Sequence, residues 1–230
     1  MACCKKTRWV QIAVHFMVWV SLILQVHAGR MVHDNFVAHS TSCAPNVLVT
    51  FWSDTNHTRR LGELIAQGVA EAQARLCDGK SSSKHLAILP IVDVDFVSHV
   101  KWADAVILGS SSIYGNVAGP LLTHIEKTWD WSADCSAKIG AAFATGGGLH
   151  GGTEHVLVSL LRLLLSFRMI FVGNDPTLGG QYSTYGATAV TDTQPFDNST
   201  LIDDEFVQPA LALGRRVVKI AHQRGCIIYS

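Results

Sequence analysis

Ser53, Thr55 and Thr58 stand in one short run, Ser53–Thr58 (SDTNHT), between an apolar, β-branched stretch and a helical pattern. Strand, hydroxyl-rich turn and helix together make a geometry that holds a phosphate. The first turn of a helix offers N–H groups without partners and a partial positive charge, and the hydroxyls add donors. No Lys or Arg falls within Ser53–Thr58, so the grip would be dipolar. His57 is expected to contribute its backbone N–H rather than a charge. A helix simply capped by Ser or Thr gives the same pattern. Two later turns share this small, polar character: Gly109–Gly119 (GSSSIYGNVAG) and Thr145–Glu154 (TGGGLHGGTE). Glycine there lets backbone approach a flat ligand and turn N–H groups toward it. Tyr114, Trp129 and Trp131 can supply flat apolar walls, and His150 can hydrogen-bond a ligand. His150 and His155 are spaced poorly for one helical face, so no metal pair is expected. Gly146, Gly148 and Gly151 satisfy G-x-G-x-x-G. That fingerprint belongs after a first strand, however, and here it follows the fourth.

These turns need elements to aim them. Asn46–Trp52, Leu86–Val92, Ala103–Leu108, Ala137–Ala144 and Met169–Val172 read as strands. They are apolar throughout rather than alternating, which implies burial on both faces. Helical spacing of apolar residues predicts helices over Arg59–Leu76, Val117–Thr128, Thr153–Phe167 and Asp203–Gln223, with a short one at Val94–Val100. Strand and helix alternate five times, the pattern of a parallel α/β sheet wound on both sides. In such a sheet ligands bind at the carboxyl ends of the strands, where all three turns fall.

The chain has 230 residues, of which 48% are hydrophobic, and 18 basic side chains balance 18 acidic ones. That suits one domain with a large core, and the scattered charge excludes a nucleic-acid footprint. At the N-terminus, basic Cys3–Arg8 precedes the nearly apolar Trp9–Val26, and Val26-His27-Ala28 resembles a cleavage site. Residues 1–28 therefore read as a signal peptide, or else as an uncleaved membrane anchor. Without them the chain would carry a net charge of −3. Residues 29–45 read as a linker and 46–230 as the domain. The expected location is the secretory pathway, secreted or membrane-anchored, with the cytoplasm as the alternative. Cys43, Cys77, Cys135 and Cys226 match no zinc spacing. Buried free thiols are expected, with one disulfide possible on export. Asn56-His57-Thr58 and Asn198-Ser199-Thr200 are glycosylation sequons, and the first overlaps the phosphate turn.

The three turns resemble those of the flavodoxin-like superfamily, and within it the WrbA-type NAD(P)H:quinone oxidoreductases. Ser53, Thr55 and Thr58 fall on the hydroxyl positions of the flavodoxin phosphate loop, with Asn56 in place of its usual glycine. Ser110, Ser111, Ser112, Ile113, Tyr114, Gly115 and Asn116 follow a T-P-T-R-F-G-N segment. Phe143, His150, Gly151, Gly152 and Glu154 match F-x-S-T-x-x-x-H-G-G-Q-E, and Tyr185-Gly186-Ala187-Thr188 matches Y-G-A-T. The resemblance implies a flavodoxin-like, doubly wound, five-stranded parallel sheet of order 2-1-3-4-5. It implies FMN with its phosphate on Ser53–Thr58, including Asn56 and His57. The ring would lie between Ser111, Ser112, Ile113, Tyr114, Gly115 and Asn116 on one side and Thr145, Gly146, Gly147, Gly148, His150 and Gly151 on the other, with Trp131 near its edge. His150 and Tyr114 become the candidate catalytic residues. NADH or NADPH would be the donor, a quinone the substrate, and a dimer or tetramer the assembly. Ile113 stands where an Arg is typical, Ser111 replaces Pro, and Phe167-Arg168 stands where a His is frequent. The alternative is a non-catalytic flavodoxin-like electron carrier or a secreted interaction protein.

Overall fold

The first apolar run becomes β1 (Val47–Trp52), buried on both faces until its last residue. A computed structural model describes residues 44–78, 83–148, 150–178, 184–191, 202 and 204–228. The expected signal or anchor at 1–28, nearly all of the linker, Cys43 and the Asn198 sequon lie outside them. Residues 42–230 form one compact unit. After β1 come α1 (His57–Leu76), β2 (Leu86–Pro90) and a π-helical turn at Phe96–Val100, where a short helix was expected. Then follow β3 (Ala105–Ile113), β4 (Asn116–Val117), α2 (Gly119–Thr128), β5 (Ile139–Gly146) and α3 (Thr153–Ser166). β6 (Ile170–Phe171), β7 (Ala187–Val190) and α4 (Asp204–Ile228) complete the order.

The sheet runs β2-β1-β3-β5-β6, with parallel pairing along the whole path. The chain therefore moves outward from β1 to β2 and returns across β1 to β3, leaving a switch point between β1 and β3. The expected order holds, but two details of the sheet differ. β3 continues through Ile113 and folds back on β4 as an antiparallel hairpin (Ser112↔Val117, Ile113↔Asn116), where a loop was expected. The expected fifth strand is split: β6 pairs with Ile139 and Gly140 at the start of β5, and β7 pairs with Phe143–Gly146 at its end. The Tyr185–Thr188 motif therefore leads into the second half of the edge strand instead of following a finished fifth strand.

Both faces of the sheet are covered. α1 and α4 pack on one side around Leu61, Ile65, Phe143 and Leu213, while α2 and α3 cover the other around Leu121, Ile125, Leu157 and Leu160. Phe143 is fully buried and meets Phe51 edge-on at 6.3 Å. Burying a ring of this size stabilises by roughly 1.5–3 kcal/mol. α1 and α4 touch backbone to backbone: a Cβ on Gly68 would lie 2.1 Å from the Leu211 carbonyl oxygen, and one on Gly214 2.2 Å from that of Ile65. At the amino end of the sheet, buried Gln73 Nε2 donates to the carbonyls of Pro45 and His85 (2.9 Å each), tying α1 to the starts of β1 and β2. Cys77, at the end of α1, is disulfide-bonded, which corrects the expectation of free thiols there. Cys135 is a buried free thiol. Among the described residues, no helix is long and apolar enough to cross a membrane, and no His/Cys/Asp/Glu group could hold a metal ion.

Candidate functional site

β1, β3 and β5 end side by side, so the three turns emerge at one edge. In the first, Asn56 adopts φ 65° and caps α1 without a side-chain hydrogen bond. The three hydroxyls are engaged within the protein. Ser53 Oγ accepts the Arg59 N–H (3.2 Å), Thr55 Oγ1 meets His57 Nδ1 (2.8 Å), and Thr58 Oγ1 meets Thr145 Oγ1 (2.7 Å). Thr58 and Thr145 are both buried. Their bond stitches the first turn to the end of β5, and Thr145 and Gly146 are strand residues, where the third turn was expected to begin. The N–H groups of His57 and Thr58, at the start of α1, have no intrahelical partners. The next two residues are cationic, but Arg59 and Arg60 both pair with Glu63 (3.1 and 3.3 Å).

The second turn is the tip of the β3–β4 hairpin. Tyr114 and Gly115 both have positive φ (51° and 78°), the backbone of a primed two-residue turn, and Asn116 Nδ2 donates to the Tyr114 carbonyl (3.1 Å). A tyrosine in that conformation is strained, a feature that concentrates at functional sites. Its side chain is 99% exposed. The third turn meets this tip closely. Gly152, the N-cap of α3, has φ 77°, and a Cβ there would fall 2.6 Å from Gly115 Cα. Ser112 Oγ donates to the Gly151 carbonyl, closing the contact.

Between hairpin and glycine-rich turn lies a cavity of about 680 Å³, lined by Ser112, Tyr114, Gly115, Gly147, Gly148, His150, Gly151 and Gly152. Its volume falls in the ordinary range for small-molecule sites, about 300–1,000 Å³. Cβ positions on Gly115 and Gly148 would meet nothing within 4 Å, so the wall is open backbone against which a flat ring can lie. The titratable side chains on that wall are Tyr114 and His150. This cradle beside a hydroxyl-rich helix start fits a phosphate ester carrying a planar ring.

Not every expected residue reaches the cavity. Ser111 turns its hydroxyl to Asp54 Oδ2 (3.0 Å), and Ile113 and Asn116 hold the hairpin instead of lining the wall. Trp131 stacks flat on Phe167 (4.4 Å between centroids, 14°). Phe167 caps the far end of α3 from Gly152, about 21 Å away for fourteen residues at 1.5 Å each. Within one chain Trp131 therefore does not border the cavity. Two residues were not named as site residues from the sequence. Gly152 entered only as a match to the glycine-rich motif, although its place beside Gly151 at a helix start marks it. Asp54, which also accepts from Trp52 Nε1 (3.1 Å), carried no signal beyond its position.

A family model described as NADPH-dependent FMN reductase matches residues 54–182. An NAD(P)H dehydrogenase (quinone) of Syntrophobacter fumaroxidans is 30% identical over 204 residues, covering 77% of this chain and 97% of the relative. One of the same description from Methylocella silvestris is 27% identical over 195 residues, covering 76% of this chain and 96% of the relative. The crystal structure of a flavodoxin, WrbA-like protein from Agrobacterium tumefaciens superposes with a TM-score of 0.56 at 18% identity, covering 79% of this chain and 99% of that one.

Proposed function

This chain belongs to the NADPH-dependent FMN reductase family, and from that premise we propose that it is an FMN-dependent NAD(P)H:quinone oxidoreductase. The observation that carries the reading is the glycine-walled cavity beside the hydroxyl-rich start of α1. Bound FMN supplies the passage of two electrons from nicotinamide to quinone. The chain's residues bind and orient. Ser53, Thr55 and the N–H groups at the start of α1 offer donors to the phosphate, with the helix dipole in place of a cation. Gly147, Gly148 and Gly151 give the ring a flat bed, and Tyr114 offers an aromatic face at the open side. Reducing a quinone with NAD(P)H consumes one proton besides the hydride. His150, exposed on the cavity wall, is the side chain suited to donate that proton to a quinone oxygen.

Copies of the chain would associate through the outer edge of the sheet, where Ile170 and Phe171 on short β6 are about half exposed. Light scattering on the purified protein tests that: a monomer refutes it. For the function, the purified protein should carry yellow flavin, lose the colour anaerobically on adding NADPH, and regain it with benzoquinone. Colourless protein that cannot be reconstituted with FMN refutes the reading. Colour that NADPH and NADH leave untouched makes the protein an electron carrier instead.

A further inference from the structure

The redox reading leaves Asn56-His57-Thr58 unexplained. This acceptor triplet for N-linked glycan lies inside the turn assigned to the phosphate. Asn56 is exposed, its side chain makes no capping bond, and it borders an open hollow of about 250 Å³ with Arg59, Arg60 and Glu63. A sugar on Nδ2 has room there. Thr58 tells a second thing. Its hydroxyl is buried against Thr145, and its backbone is already helical. A transferase reads the triplet extended with its hydroxyl accessible, so the folded domain hides what it would need. Modification must precede the docking of α1 onto β5. Two observations bring the chain near such a transferase. Residues 1–28 have the layout of an export signal, and Cys77 is disulfide-bonded, a state that persists in oxidising compartments.

We propose that Asn56 accepts an N-linked glycan while the chain enters the secretory lumen, and that the modified turn no longer admits the FMN phosphate. Glycosylation and flavin loading are then alternative fates of one polypeptide, decided by whether sugar transfer outruns folding. The inference rests on the phosphate seat proposed above. In the transfer, Asn56 Nδ2 bonds to C1 of an oligosaccharide carried on a lipid diphosphate. The C1–O bond to the diphosphate breaks, the lipid diphosphate leaves, and one Nδ2 proton passes to a base. No electrons move. The resulting sugar is attached one residue from Thr55 and immediately before the first turn of α1, where it covers the N–H groups that would face the phosphate.

The full chain, expressed in eukaryotic cells with and without an inhibitor of lipid-linked oligosaccharide synthesis, tests this. Glycan on the Asn56 peptide is read by mass spectrometry after enzymatic release in heavy-oxygen water, and flavin is read by visible absorbance. Untreated cells should yield chain with glycan on Asn56 and no flavin, and treated cells chain with flavin. Asn56→Gly, which removes the acceptor but suits the positive φ, should carry the same amount of flavin whether it comes from treated or untreated cells. Unmodified Asn56 in untreated cells overturns the proposal, as does modified chain with full flavin. Protein that stays colourless in treated cells and after FMN addition refutes the parent reading and with it the exclusion. Glycan occupancy, read separately, tells the two failures apart.

Discussion

Asp54 is the residue at which two of the turns are joined. One carboxylate oxygen takes the Trp52 indole N–H, and the other takes the Ser111 hydroxyl. The similar family segment carries Pro where Ser111 stands, so this chain substitutes a cross-turn hydrogen bond for a stiff residue. Both partners are at least partly exposed, so the bond is worth about 1 kcal/mol, or roughly a fivefold change in a binding constant. Asp54→Ala and Ser111→Ala should each weaken FMN binding by about that much, and the double substitution should add little, because either one breaks the same bond. Fluorescence titration of the apoprotein checks this; additive losses would mean the two residues act separately. Tyr114 makes a different prediction. Its left-handed backbone costs about 1 kcal/mol, which glycine does not pay. Tyr114→Gly should therefore raise the urea midpoint of the apoprotein while weakening FMN binding through loss of the aromatic face. Stability and affinity moving in the same direction would show that Tyr114 serves the fold.

At the scale of elements, the crossing of α1 and α4 is set by missing side chains. Gly68 and Gly214 bring the helix backbones together, and a methyl on either would occupy a carbonyl's place. Gly68→Ala should cost about 1–3 kcal/mol by forcing the helices apart. Urea denaturation would measure it as a lower midpoint with an unchanged slope, and an unchanged midpoint would mean that α4 can shift freely. The turns themselves were legible in sequence because Ser, Thr and Gly cluster there. The hairpin within the second turn was not, although Tyr114-Gly115 is a primed turn. Ser110–Ile113 lack the apolar run of the preceding strand, and their pairing is supplied by β5 and β4. The split fifth strand was hidden for a related reason. Met169–Val172 read as the whole fifth strand, and nothing in the residues of Ala187–Val190 shows that they continue the same edge along β5.

Across the whole molecule, charge governs response to pH. Asp95, Asp134 and Asp175 accept backbone N–H bonds from Ser98, Ser136 and Thr177, and Asp130 accepts chiefly the Ser132 hydroxyl. These bonds hold all four carboxyls below their ordinary value of 3.8. A depressed folded-state value contributes stability that is present above the unfolded value and lost as pH falls through the folded one. The melting temperature should therefore stay level from neutrality to about pH 4.5 and decline below about pH 4, as a calorimetric series in dilute buffer would record. Lys138 works with the opposite sign. Burial pushes its ammonium below 10.5, so its burden is relieved as pH rises through the folded value. Composition and the alternation of apolar strands with amphipathic helices were enough to give the fold class, and three unusual turns marked where a ligand would sit, while the strand order and FMN came from the resemblance of those turns to a known family. These are properties of short segments, and a segment's periodicity is written in its own residues. The identity of the cavity wall was different. Thr58 turning inward to Thr145, Asp54 bridging to Ser111, Gly152 resting on Gly115 and Trp131 lying on Phe167 all join residues far apart in the chain. Such contacts exist only once the sheet has brought its strand ends together, because the direction a side chain takes is decided by what packs against it.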